Sequence, residues 1–179
     1  MCEMRRRLLI LEPARRGWRL ETLRVETLAH DERQEYLTLH GEALCQYLLR
    51  RDPACLAIAR GPMPFLAGNK ATVGYLSPLT GLPHYSFVGG RAAAQLFDLG
   101  LDGLVLCGAA SPWEHLPTIV VSGSAPGLDV CWKESGDLPA GQRAATYALI
   151  ERELGGQAEL GSVLCLGQGA GLGYQTANL

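Results

Sequence analysis

The sequence has no apolar run suited to a membrane span or a signal-peptide core. Leu8-Leu9-Ile10-Leu11, between Arg5-Arg6-Arg7 and Arg15-Arg16, is far short of the roughly 20 residues a spanning helix needs. A cytoplasmic location with no membrane contact is the default expectation. CxxC and CxxxC spacings are also missing: Cys2, Cys45, Cys55, Cys107, Cys131 and Cys165 are scattered singly, so the chain brings no zinc or iron–sulfur signature of its own. Cys107, Cys131 and Cys165 sit in apolar, strand-like runs, where a free thiol behaves as a small hydrophobe and is expected to be buried and inert. Without an export signal a disulfide framework is not expected. Nor does one sign of charge dominate: 16 Lys and Arg against 18 Asp and Glu leave a net −2. No basic stripe is interleaved with aromatics, which excludes nucleic-acid binding. Finally, no Ser/His/Asp, Cys/His or metal-ligand arrangement stands out. Glu114 and His115 are sequence neighbours in a turn region and read as solvated loop residues, and no catalytic residue is assigned.

What is present is a globular composition. With 47% hydrophobic and 19% charged residues over 179 positions, the chain reads as a single domain, 1–179, able to bury a sizeable core.

Along the chain, Arg7–Leu11 and Trp18–Leu28 read as two strands of a hairpin. Asp31 is a candidate cap for a helix with an apolar stripe of Tyr36, Leu37, His40, Ala43, Leu44, Tyr47 and Leu48. His40 on that stripe reads as a packed, hydrogen-bonded histidine in preference to a ligand or base. Asp52-Pro53 ends the helix, Cys55–Ala59 is a short buried strand, and Met63–Asn69 is a loop. Thr118–Ser122 and Leu128–Lys133 read as a second hairpin. A helix from about Ala140 to Leu154, with Ala144, Tyr147, Ile150 and Leu154 on its apolar side, stops at Gly155-Gly156. Val163–Leu166 is a last strand feeding Gly167-Gln168-Gly169-Ala170-Gly171-Leu172-Gly173. Too few residues follow for the helix of a dinucleotide fold.

The central stretch is Lys70 to Gly108. Strand Ala71–Leu76 leads through Ser77-Pro78-Leu79-Thr80-Gly81 to Gly89-Gly90, which opens a short helix burying Ala92, Ala93, Leu96 and Phe97. Gly100 is its left-handed end, and a buried strand follows at Leu101–Cys107. Two glycines before a helix let backbone N–H groups approach an anion, and they also permit tight strand-to-helix packing; both readings stand. Arg91 suits a phosphate or a neighbouring carboxylate equally.

The order Gly61-Pro62, Lys70, Ser77-Pro78-Leu79-Thr80-Gly81, Gly89-Gly90, Gly100-Leu101-Asp102-Gly103 and Gly108 resembles the N-terminal domain of the aldehyde ferredoxin oxidoreductase family, from about Leu8 to the C-terminus. The resemblance implies an α+β fold of intertwined mixed and antiparallel β-sheets with three short-to-medium helices, forming the base on which a tungsten or molybdenum pyranopterin pair sits. It implies Lys70, Gly89, Gly90 and Arg91 as cofactor-binding residues, in an oxidoreductase passing electrons through one [4Fe-4S] cluster.

The chain departs from that pattern at three points. Lys70 stands where the family has arginine, Phe87-Val88 where it has Asn-Ser, and Gln168 where it has proline. His40-Gly41 falls where the family tends to have a basic residue and glycine. Family members continue beyond the equivalent of Leu179 into helical domains with the cluster cysteines and the acid/base residues. The [4Fe-4S] cluster is therefore not expected to be ligated by this chain, and an exposed apolar surface is expected where those domains pack. Three readings follow. The chain is a cofactor-binding domain or subunit that depends on a protein partner carrying the cluster-binding domains; or a non-catalytic binding or assembly module, partnered or homo-oligomeric, with a degenerate pterin site; or, least favoured, an unrelated α+β domain.

Overall fold

The computed structural model describes residues 5–24, 39–62, 70–108, 118–124, 127–134, 142–157 and 161–163. Strands β1 (Arg5–Glu12), β2 (Gly17–Arg24), β3 (Leu56–Arg60), β4 (Ala71–Leu76), β5 (Pro83–Val88) and β6 (Gly103–Leu106) form one mixed sheet in the order β2-β1-β6-β3-β4-β5. Only β1 and β6 run parallel. Strands β7 (Thr118–Ser124) and β8 (Gly127–Lys133) make a separate antiparallel hairpin. Helices α1 (Gly41–Arg51), α2 (Ala92–Asp98) and α3 (Gln142–Leu154) complete the described residues. This is the expected α+β class with mixed and antiparallel sheets and three helices.

The sheet is covered on both faces, which explains why the middle of β1 is an unbroken apolar run. Leu8 and Ile10 point to one face and pack with Leu44, Cys45, Leu48, Ala57 and Val105 under α1. Leu9 and Leu11 point to the other and pack with Ile58, Val73, Ala93, Leu96 and Val130, so α2 and the β7–β8 hairpin close that side. Burying side chains of this size is worth roughly 1.5–3 kcal/mol each.

Two glycines are there for close approach. A Cβ on Gly74 would lie 2.7 Å from Cβ of Cys45 and 3.2 Å from the Tyr85 ring, so this glycine lets α1 settle onto β4. A Cβ on Gly103 would meet the carbonyl oxygen of Ile58 at 3.0 Å and the Leu8 side chain at 3.2 Å, where β6 is squeezed between β1 and β3.

Several local expectations change. His40 has extended backbone and directly precedes α1, so it lies at the helix end and not on the stripe; Gly41, Leu44, Cys45, Tyr47, Leu48 and Leu49 form the buried side. Asp31, Tyr36 and Leu37 lie outside the described residues, as do the end of the second strand beyond Arg24, Met63–Asn69, Glu114-His115 and everything after Val163. Phe97 is exposed and not buried, with the guanidinium of Arg60 over its ring at 5.3 Å. On α3 the buried residue is Leu149, while Ala144 and Tyr147 are exposed, Tyr147 beneath Arg143 at 5.7 Å. Cys131 is exposed and not buried. The expected helix ends hold: Gly100 takes φ +71°, and Gly155 and Gly156 take +58° and +78°.

Candidate functional site

Strand register gathers several of the motif residues at one end of the main sheet. Arg60 pairs with Ala71, and Ala71 with Val88, so the chain positions just beyond, Gly61, Lys70 and Gly89, leave the sheet side by side. On the other side of β3, Ala59 pairs with Gly103 and Gly103 with Leu8, which brings Asp102 and Arg7 to the same end. Arg5 pairs with Arg24 at the margin of the sheet. The result is a rim of Arg24, Arg5, Arg6, Arg7, Arg60 and Lys70 running toward Gly89, Gly90 and Arg91. Among the described strand ends here, Asp102 is the acid.

That acid is fully used. Asp102 Oδ1 accepts from Arg60 Nη2 at 2.6 Å and its Oδ2 accepts from the Arg7 backbone N–H at 2.8 Å, with 10% of the Asp102 side chain and 14% of the Arg60 side chain exposed. Its own N–H donates to the Arg7 carbonyl at 2.8 Å. Arg60 also donates to the carbonyls of Leu101 at 2.9 Å and Gly61 at 3.2 Å. Asp102 and Gly103 thus have structural reasons to stand where they do: one ties three strand ends together, and the other lets them meet.

Behind the rim, Arg6 Nε donates to the Leu39 carbonyl at 3.0 Å and its Nη2 lies 2.9 Å from His40 Nε2. Arginine can only donate, so Nε2 accepts and the ring hydrogen sits on Nδ1. Burial, with the positive charge of Arg6 next, holds His40 below the ordinary imidazole range against the opposing pull of Asp102. A packed, hydrogen-bonded, neutral histidine fits the sequence expectation. Its Nδ1 is buried with no hydrogen-bond partner among the described residues.

The four sequence-predicted residues lie at this end, all exposed: Lys70, Gly89, Gly90 and Arg91. Gly90 takes φ +74°, which favours glycine, yet a Cβ on Gly89 or Gly90 would meet nothing within 4 Å among the described residues. Tight strand-to-helix packing therefore does not account for the pair; the turn conformation and the open space beside it do. No acid pairs with Lys70 or Arg91 among the described residues. Helix α2, at seven residues, is too short to add much dipole of its own.

The Ser77–Gly81 motif does not join this rim. It is the turn between β4 and β5 at the opposite end of the sheet, about 20 Å away by strand length. Ser77 N–H donates to the Leu82 carbonyl at 2.9 Å and Gly81 N–H to the Ser77 carbonyl at 2.8 Å. Arg6 was read only as part of a basic cluster and Arg60 was not singled out; for Arg60 the available signal was a charged residue ending a buried strand just before Gly61-Pro62. The described residues contain no group of three His, Cys, Asp or Glu placed to hold a metal ion. None of the described helices is long and apolar enough to cross a membrane.

Among solved structures, the chain is similar to the active site complex BamBC of benzoyl coenzyme A reductase in complex with 1,5-dienoyl-CoA, at TM-score 0.60 and 20% identity over 86% of this chain and 24% of that one. It thus spans about a quarter of that protein's length, and at this identity the likeness shows the fold. No curated protein matches. The family profile described as aldehyde ferredoxin oxidoreductase, N-terminal domain, matches residues 20–179, and on that coverage the chain belongs to the aldehyde ferredoxin oxidoreductase family.

Proposed function

We propose that this chain is the cofactor-binding N-terminal domain or subunit of an aldehyde ferredoxin oxidoreductase-like enzyme, holding a tungsten or molybdenum pyranopterin. The observation that carries the reading is the basic rim, on which Lys70, Gly89, Gly90 and Arg91 share one sheet end beside open space. The residues present suit a phosphate-bearing group. Lys70 and Arg91 offer exposed cations, Gly89 and Gly90 offer backbone N–H groups with no side chain in the way, and His40 Nδ1 is a buried donor close by. When bound, the group supplies a metal centre able to exchange electrons and oxygen with a carbonyl substrate. The part played by this chain is to bind and orient it. Arg60 and Asp102 hold the strand ends that carry the site, and the neutral His40 supports Arg6 without adding charge.

The iron–sulfur cluster and the acid/base groups come from a partner chain or from other domains, consistent with the share of the larger structure that this fold represents. The turn and margin of β4–β5 suit such a contact: Leu79, Leu82 and Phe87 are 67%, 65% and 60% exposed. Phe87 also supports a second reading, a non-catalytic assembly module, since an apolar side chain stands where the family has a hydrogen-bonding one.

The test is metal and pterin analysis of the protein purified anaerobically from its native cells, with co-purifying chains identified. Tungsten or molybdenum together with a cysteine-bearing partner supports the enzyme reading, and loss of pterin in Lys70→Ala or Arg91→Ala assigns the rim. A metal-free protein with an intact partner leaves the assembly reading.

A further inference from the structure

We propose that Cys55 and Cys107 form a cross-strand dithiol that closes to a disulfide when it meets a low-molecular-weight disulfide. The pairing comes from β3 and β6. Leu56 pairs with Leu106 and Ala57 with Val105, so one further step sets Cys55 opposite Cys107. The Arg60 N–H donates to the Asp102 carbonyl, which makes residues 60 and 102 a hydrogen-bonded pair. Alternation then makes 58 with 104 and 56 with 106 hydrogen-bonded, and 55 with 107 a non-hydrogen-bonded pair. Two bonds agree: the Cys107 N–H donates away from β3 to the Leu11 carbonyl at 2.8 Å, and the Cys55 N–H donates to the Asp52 carbonyl at 3.2 Å. At such pairs the Cα atoms stand about 4.5 Å apart with side chains on one face, inside the window a disulfide spans. Both cysteines do face the same side, packed in the cluster under α1, and both are free.

The third thiol of that cluster is differently placed. Cys45 Sγ is held between strands, donating toward the Ala57 carbonyl at 3.6 Å and the Thr72 carbonyl at 3.5 Å. Cys107 is only half-buried, whereas Cys55 is 3% exposed, so an external reagent reaches Cys107 first. Burial pushes the Cys55 thiol up to about 12. It also raises Cys107, with Asp52 adding through its charge and as acceptor of the thiol hydrogen bond; Glu12 and Arg19 are the other charged neighbours. Thiolate is therefore scarce and closure slow, and the same high-pKa sulfurs are poor leaving groups, so the closed bond resists reopening.

The exchange balances in two steps. The Cys107 thiolate attacks one sulfur of RS–SR, forming a Cys107–SR bond and expelling RS⁻, which takes up the proton Cys107 released. The Cys55 thiolate then attacks the Cys107 sulfur, forming the protein disulfide and expelling a second RS⁻, which takes up the Cys55 proton. Two thiols are oxidised by two electrons, and RS–SR is reduced to two RSH.

The test incubates the native full chain with oxidised glutathione, alkylates the remaining thiols and maps peptides without reduction. Trypsin releases Asp52–Arg60 with Cys55, and a glutamate-specific protease cutting at Glu114 separates Cys107 from Cys131. A Cys55–Cys107 peptide, formed about tenfold faster per pH unit below the thiol range, is the expected product. In Cys107→Ser the link vanishes and Cys55 stays alkylatable; in Cys55→Ser the glutathione adduct stays on Cys107. Alkylation of both cysteines as free thiols once exposed Cys131 is fully glutathionylated overturns the proposal, and so does a link from Cys55 to Cys45. The wild-type map decides the matter even if a variant fails to fold.

Discussion

Asp102→Ala tests whether one buried carboxylate holds the sheet end that carries the candidate site. The side chain accepts from a guanidinium at 2.6 Å and from a backbone N–H at 2.8 Å. Its loss leaves Arg60 buried without its counter-charge, and breaking such a pair costs roughly 3–5 kcal/mol. Arg60 keeps two carbonyl partners and the Phe97 face, which pulls that cost to the lower end. The orphaned Arg7 N–H adds about 1–3 kcal/mol. The expected loss is therefore about 4–6 kcal/mol, or a fall of roughly 8–24 °C in Tm for a domain of this size. Urea unfolding reads it as a shifted midpoint at unchanged slope. Arg60→Met removes the cation instead, so the double variant should lose less than the sum of the singles by at least about 1 kcal/mol. An Asp102→Ala loss under about 1 kcal/mol, or a strictly additive cycle, would refute the tie.

Gly74→Ala should cost roughly 1–3 kcal/mol by overpacking, because its Cβ meets a backbone-anchored Cβ of Cys45 at 2.7 Å; an unchanged urea midpoint would show that α1 simply moves away. His40 has a folded pKa below the unfolded 6.5, so its stabilising contribution is fully present above about pH 6.5 and is lost as pH falls through the folded value. Stability measured from about pH 7.5 to about pH 5 should fall more steeply in wild type than in His40→Gln, and parallel profiles would contradict the placement. Lys70→Ala and Arg91→Ala, both at exposed positions, should leave the unfolding free energy within about 0.5 kcal/mol while lowering retained pterin after anaerobic purification; equal pterin in both variants and wild type would remove them from the site.

Local chemistry made much of the architecture readable. The hairpin pairing of β7 with β8, the stop at Asp52-Pro53 and the left-handed Gly100 and Gly155-Gly156 are set by residues acting on their own backbone. The apolar run Leu8–Leu11 signals a strand buried on both sides, with no need to know its partners. The end of α3 was readable where its buried side was not: Tyr147 lies at the surface beneath Arg143 and Leu149 is the buried residue. Phe97 misled likewise: an apolar residue at helical spacing whose ring meets Arg60 and not the core.

The sequence by itself determined most of the described elements, though not strand β5, several of their ends, and the family order of Lys70, Gly89-Gly90 and Asp102-Gly103. Only the tertiary structure decided which of these meet. Ser77–Gly81 falls at the far end of β4, while Arg7 and Asp102, 95 positions apart, bond directly. Cys55 finds Cys107 by the same register. The reason is physical: register is fixed by burying both faces of the sheet at once, a condition set by long-range pairing, and it leaves no local period by which residues on different strands announce that they share an end.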